Sequence, residues 1–222
     1  MLVISTTIYS KNIEEIVVTG TKSKTQIINE TGNLTFISNE EINFISPIHP
    51  SNVLNRMPGV FISQGSGQEH LTSIRSPVLS GGAGAGSFLY LEDGIPLRSP
   101  GFSNVNGLME SNIEISERTE VIRGPGSVLY GSNAVHGLVN VITEKENADY
   151  NNKLNIRAGR NKILFNSSTY KELDNSNLLF NFLWKEDNGY TNNYAEQNSD
   201  KFDKPHYGQQ KFLIRLNTEK NS

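Results

Sequence analysis

The chain contains no cysteine. Structural disulfides, thiolate metal ligands and cysteine nucleophiles are therefore excluded, although the compartment is left open. Long apolar runs are missing too. No stretch of about 18 consecutive apolar residues occurs, so the sequence offers no transmembrane helix. A membrane barrel stays open, because each of its strands needs only about 10 residues of alternating character. There is little excess charge: 20 Lys and Arg against 23 Asp and Glu give a net charge of -3. The basic residues are scattered, so a nucleic-acid partner has no electrostatic footprint here. His49, His70, His136 and His206 stand far apart in no metal-ligand pattern and read as ordinary loop or surface residues. The glycine-rich run SGGAGAG (residues 80–86) lacks the Lys-Ser/Thr ending of a phosphate loop and the G-x-G-x-x-G order. With no nucleophile elbow either, neither an enzyme nor a resident cofactor is indicated.

What is present is a succession of short elements punctuated by turns. Ser38-Asn39-Glu40-Glu41 matches a capping box, with a short helix expected through Phe44 and ended by Pro47. Ser51 is a second candidate N-cap, before Val53, Leu54 and Met57; Pro58-Gly59 stops that helix. Strands are expected at 60–63, 71–75 and 87–91, with a tight turn at Glu92-Asp93-Gly94 in which Asp93 bonds downstream amides and Gly94 takes positive φ. The densest segment is ERTEVIRGPGSVLYGSNAVHGLVNVITEK, residues 117–145. There, two strand-like runs flank a glycine-rich turn, and Arg123 sits where the first run ends. This half reads as a small α+β domain.

Near Glu144 the character changes. Four candidate strands then alternate with period two. Leu154, Ile156 and Ala158 share one face; so do Leu178, Phe180, Phe182 and Trp184, opposite Leu179, Asn181, Leu183 and Lys185. In the last strand Phe212, Ile214 and Leu216 oppose Lys211, Arg215 and Asn217. A meander with an apolar and a polar face fits a β-sandwich or a membrane barrel. Short and long connections alternate as in outer-membrane barrels. Tyr190, Tyr194, Phe202 and Tyr207 mix with Asp and Asn in the long loop, either as ligand-stacking groups or as a merely solvated loop.

Four segments, taken in order, resemble the N-terminal part of a TonB-dependent outer-membrane receptor. They are EEIVVTGTK (14–22), SNVLNRMPGVFIS (51–63), LTSIRSPV through FLYLEDGIPL (71–97) and the 117–145 segment. The resemblance implies an α+β plug domain followed by the first antiparallel strands of a transmembrane β-barrel, incomplete within this chain. The expected organisation is a signal-peptide remnant or disordered N-terminus at 1–11 and a TonB-box-like segment at 12–22. A plug at 23–147 and barrel strands at 148–222 follow.

It further implies residence in the outer membrane of a Gram-negative bacterium, in contact with outer-membrane lipid. The function implied is uptake of a scarce bulky nutrient, most often a ferric siderophore, powered through TonB and its inner-membrane energising complex. Glu14, Glu15, Ile16, Val17, Val18 and Thr19 would be the TonB-binding residues, gripped by main-chain pairing to a sheet edge; an ordinary first strand is the alternative. Arg75 and Arg123 stand at positions where the family's arginines contact acids on the barrel wall, although Ser76 replaces the usual glycine after the first of them. Bonds confined to the plug are the other reading. Gly82, Ala83, Gly84 and Ala85 would form a loop facing the external substrate. A soluble periplasmic plug-like module and a non-transporting remnant remain as alternative readings of the whole.

Overall fold

The computed structural model describes residues 16–26, 33–65, 69–77, 87–97, 107–143, 152–159, 162–173, 176–187 and 207–218. Residues 1–11, Glu14, Glu15, the glycine loop at 82–85 and the loop aromatics Tyr190, Tyr194 and Phe202 lie outside the described residues.

The N-terminal domain is organised by a five-stranded mixed sheet. Its members are β3 (Leu34–Ser38), β6 (Phe88–Glu92), β7 (Ile95–Pro96), β8 (Arg118–Arg123) and β9 (Gly137–Ile142), in the spatial order β3-β8-β9-β6-β7. Only β6 and β9 run parallel. The central strand β9, GLVNVI, is buried along its whole length, as expected of a β-branched run covered on both faces. Its single polar member, Asn140, is 1% exposed and therefore needs partners.

Two outlying hairpin pairs complete the strands: β1 (Ile16–Val17) with β2 (Thr25–Gln26), and β4 (Val60–Gln64) with β5 (His70–Ile74). Helix α1 (Asn39–Ile45) starts as its capping box requires, with the Glu41 N–H donating to Ser38 Oγ at 3.4 Å. It ends at Ser46 in the left-handed conformation. Helix α2 (Ser51–Leu54) is shorter than expected, and Ser51 is its first helical residue rather than its cap. His49 Nδ1 accepts the Ser51 N–H at 3.0 Å and takes the capping role. Ile42, Val53, Leu54, Ile74, Leu108 and Ile113 lose all solvent contact beneath the sheet.

Between β8 and β9 the glycine-rich segment forms one short helix, α3 (Ser127–Tyr130). Gly137, opening β9, is there for space. A Cβ would lie 2.8 Å from the Ile122 carbonyl oxygen and 2.9 Å from Ile74 Cγ2. Gly137→Ala is expected to cost about 1–3 kcal/mol through overpacking, read as a lowered denaturation midpoint. Gly94→Ala, where a Cβ meets nothing within 4 Å, would act only through its φ of +79°.

Beyond the domain, β10 (Asn152–Ala158), β11 (Lys162–Leu173), β12 (Ser176–Asp187) and β13 (Tyr207–Thr218) form a four-stranded antiparallel meander. The last three have 12 residues each, enough to cross a bilayer when tilted. The alternation read from the sequence decides the two faces. Leu154, Ile156, Phe180, Phe212, Ile214 and Leu216 are exposed on one side, where the Phe165, Phe182 and Phe212 rings pack in series. Leu179, Asn181, Leu183 and Lys185 are buried on the other, which faces the N-terminal domain.

Candidate functional site

The box-like segment is docked rather than free. After β1 turns back through Lys22, at positive φ, to pair with β2, the chain at Val18 and Thr19 lies on the sheet. The Val18 N–H donates to both Glu120 carboxylate oxygens at 3.1 and 3.2 Å, and the Thr19 N–H donates to Glu120 Oε2 at 2.7 Å. The Thr19 carbonyl accepts the Tyr130 hydroxyl at 3.0 Å, and its Oγ1 accepts from Asn140 Nδ2 at 3.0 Å. Glu120 is fully buried and also pairs with Arg118 Nε at 2.6 Å. Burial, then the neighbouring Glu120 charge, pushes the Tyr130 hydroxyl up to about 12, so it stays a donor at any physiological pH. The Lys22 ammonium sits 4.8 Å from the Tyr130 ring centroid. A cavity of ≈ 290 Å³ opens beside this contact, lined in part by Val18, Lys22, Lys24 and Arg118.

A second polar constellation joins the domain to the meander. Glu114 sits in a single turn of 3₁₀ helix, Ile113–Ile115, and takes Lys185 Nζ at 2.6 Å and Lys211 Nζ at 3.1 Å. Lys185 also donates to the Ile48 carbonyl at 3.2 Å, and Lys211 to the Ser111 carbonyl. Burial alone would raise the Glu114 carboxyl; the two lysines reverse that and hold it at about 2, against an ordinary 4.5. Gln209 Nε2 reaches the Met109 carbonyl at 2.7 Å, and Lys153 Nζ reaches Asn43 Oδ1 at 2.9 Å.

Asp93 adds a third junction. The expected turn is present, with φ of 50° at Asp93 and 79° at Gly94, the two-residue hairpin form that needs positive φ at both. The Asp93 carboxylate does not bond its own downstream amides, however. It accepts the Thr143 N–H at 2.8 Å and hydroxyl at 2.6 Å, and pairs with Arg215 NH2 of β13 at 2.6 Å.

Arg75 and Arg123 are brought together at Gly59. A Cβ there would lie 3.3 Å from Arg75 Cγ and 3.8 Å from Arg123 Cδ, and Gly59 itself has φ +76°. Arg123 NH1 donates to the Pro58 carbonyl at 2.9 Å, while its buried Nε meets no acceptor among the described residues. Neither guanidinium pairs with an acid among the described residues; the plug-to-wall ion pairs seen there have the opposite polarity, acid on the domain and base on the meander.

His49 and His70 are not surface residues as the sequence suggested. They are 2% and 3% exposed, with ring centroids 5.8 Å apart, and the His70 ring, at the start of β5, also lies against Tyr90. No group of three metal-ligating side chains forms among the described residues.

Sequence reasoning missed Glu114, Glu120, Tyr130 and Asn140. For Glu120 a signal existed: a carboxylate in a strand otherwise reading as core has to find donors once buried. Lys185 and Lys211 were correctly assigned to a polar face, but their shared partner, Glu114, left no pattern to find.

A mixed-sheet domain with a docked N-terminal strand, seated on the polar face of strands long enough to span a bilayer, defines the plug and adjoining wall of an outer-membrane barrel protein. Residues 26–138 match the family model described as the TonB-dependent receptor plug domain. The chain is 32% identical over 148 residues to the vitamin B12 transporter BtuB of Vibrio vulnificus (strain CMCP6), covering 66% of this chain and 23% of that protein. Among solved structures, the fold resembles Pseudomonas aeruginosa FpvA bound to a heterologous pyoverdine with iron (TM-score 0.61, 19% identity, 78% of this chain and 22% of that one). It also resembles the ferric-catecholate import receptor Fiu of E. coli K12 (TM-score 0.54, 19% identity, 73% and 22%). The chain belongs to the TonB-dependent receptor family. It is a protein of the Gram-negative outer membrane and spans under a quarter of the length of these relatives. The four-stranded meander is an open stretch of barrel wall, not a closed barrel.

Proposed function

We propose that this chain is the plug and first wall strands of a receptor for energy-coupled uptake of a scarce, bulky nutrient, a ferric siderophore. TonB, driven by its inner-membrane complex, grips residues 14–19 and remodels the plug after ligand binds above it. The observation that carries this reading is the docking of Val18 and Thr19 on the sheet. This segment is laid on the face of the sheet and joined to it by a few hydrogen bonds rather than woven into it as a strand, so an external strand can compete for it. Arg75 and Arg123, gathered at Gly59 without an acid among the described residues, fit a role as fasteners to wall acids. Gly82 to Ala85 is proposed as the ligand-facing loop. Cobalamin is the second reading of the cargo, favoured by the 32% identity to BtuB.

Two measurements test this. A peptide of residues 12–22 is expected to bind the C-terminal domain of TonB; no binding at millimolar peptide would remove the box assignment. In the receptor carrying this chain, deletion of residues 14–19 is expected to abolish uptake while ligand binding persists. Ferric siderophore and cobalamin, supplied separately to that receptor, decide the cargo.

A further inference from the structure

We propose that the cavity of ≈ 290 Å³ beside Tyr130 is a binding site for a soluble phosphate monoester, held by Arg118 of the sheet together with Lys22 and Lys24. The site does not depend on residues 12–22 serving as the box. Its floor follows from strand alternation. Arg118 and Glu120 are alternate residues of β8, so their side chains leave the same face of the sheet. On β9, Ile142 stands opposite Arg118 and Asn140 opposite Glu120, which extends that face. From the turn after β1, Lys22 and Lys24 line the same cavity, and the Lys22 ammonium lies 4.8 Å from the Tyr130 ring centroid.

The charge on these walls is unbalanced. Lys22, Lys24 and Arg118 line the cavity against one acid, Asp93, whose charge is taken up by Arg215 at 2.6 Å. Arg118 is 7% exposed and uses Nε alone, on Glu120 Oε1 at 2.6 Å. Among the described residues its two terminal nitrogens meet no acceptor. A guanidinium taken this far out of water calls for an acceptor on its remaining donors, and its planar fork fits the oxygens of a phosphate or a carboxylate. The two ammoniums decide between these. A phosphate monoester brings about two negative charges at neutral pH and three acceptor oxygens, which suits two lysines and one fork, whereas a carboxylate brings a single charge. Val18, Ile142 and the Tyr130 ring supply apolar surface for the body of the ester. The meander turns its polar face to the plug and its apolar face away, so the wall separates the cavity from lipid and the ester is a soluble one.

Titration of the full chain in detergent with phenyl phosphate tests the site. Saturable binding of one equivalent is expected. Inorganic phosphate should bind several-fold more weakly for want of an apolar body. Benzoate, one charge on the same ring, should bind about ten-fold more weakly. Lys22→Gln combined with Lys24→Gln, both exposed, should weaken phenyl phosphate about ten-fold or more, whereas Lys171→Gln, an exposed lysine of β11, should change nothing. Arg118→Lys keeps the charge beside Glu120 but loses the fork, and should weaken binding about ten-fold; if that variant fails to fold, the double lysine variant decides. Phenyl phosphate should also raise the unfolding midpoint of the unaltered chain and leave that of the double variant in place. No saturable binding at millimolar phenyl phosphate would overturn the proposal. An equal loss of affinity in Lys171→Gln would mean attraction to surface charge at large, and equal binding of benzoate would mean a site for any monoanion; either result overturns it. None of these failures touches the box assignment, which the 12–22 peptide tests separately.

Discussion

Glu114→Ala is expected to cost about 3–5 kcal/mol in the stability of the plug against its wall strands, because it leaves two buried lysine ammoniums without their counter-charge. Lys185 and Lys211 have side-chain exposures of 3% and 8%, so water cannot replace the carboxylate. Unfolding of the chain in detergent should show a lowered midpoint. Protease should cut between the plug and β12 sooner than in the unaltered chain. The triple change Glu114→Met, Lys185→Met, Lys211→Met should recover most of the loss, since replacing a whole buried ionic cluster by apolar groups is often neutral or stabilising. A triple variant as unstable as Glu114→Ala would mean that the site's packing, not its charge, holds plug to wall.

The same residue sets a pH limb. Its carboxyl is lowered from 4.5 to about 2 in the folded state. A depressed carboxylate binds protons more readily when unfolded, so its contribution is complete above the ordinary value and lost as pH falls towards 2. Stability of the plug–wall contact should therefore be insensitive to Glu114 above about pH 5 and should decline below about pH 4.5. Glu114→Gln should remove that decline. An unchanged acid limb in the variant would assign it to other carboxylates.

Asp93→Ala is expected to cost about 2–3 kcal/mol, the worth of charge-assisted bonds to Thr143 and Arg215. It separates two effects in one turn. Asp93 holds φ at 50°, which alanine resists and glycine accepts. If Asp93→Gly is as damaging as Asp93→Ala, the lost bonds dominate; if it restores most of the stability, backbone strain does. Arg215→Lys should mimic part of the loss, because lysine brings one point charge where the guanidinium reaches both Asp93 and the Thr143 hydroxyl.

How far the sequence reached differs between the two halves for a physical reason. In the meander, strand alternation alone put Phe180 and Leu183 on opposite faces without coordinates, but which face looks outward was settled only by the packing of the domain against Leu183 and Lys185. The strands proved longer than the apolar pattern showed, because polar ends such as Glu172 and Asn177 still pair across the hairpin. In the plug, local signals such as the Ser38 cap and the Asp93-Gly94 turn were read correctly in place. The partners of the Asp93 carboxylate, Thr143 and Arg215, were not. Ser51 was assigned the cap that His49 supplies from two residues away, and the buried His49–His70 pair was taken for loop or surface residues, because only the folded domain brings β5 and its His70 against His49.

The sequence by itself determined the family, the order of its parts and the two-faced character of the wall strands. These are carried by motifs and by short-period alternation, which act within a few residues along the chain. The tertiary structure alone decided that Glu120 holds Val18 and Thr19 and that Glu114 and Asp93 clasp the wall. Each of these contacts joins residues tens of positions apart, or more than a hundred for Thr19 and Glu120. A buried charge announces that it needs a partner, but only the packing of the sheet brings one within 3 Å.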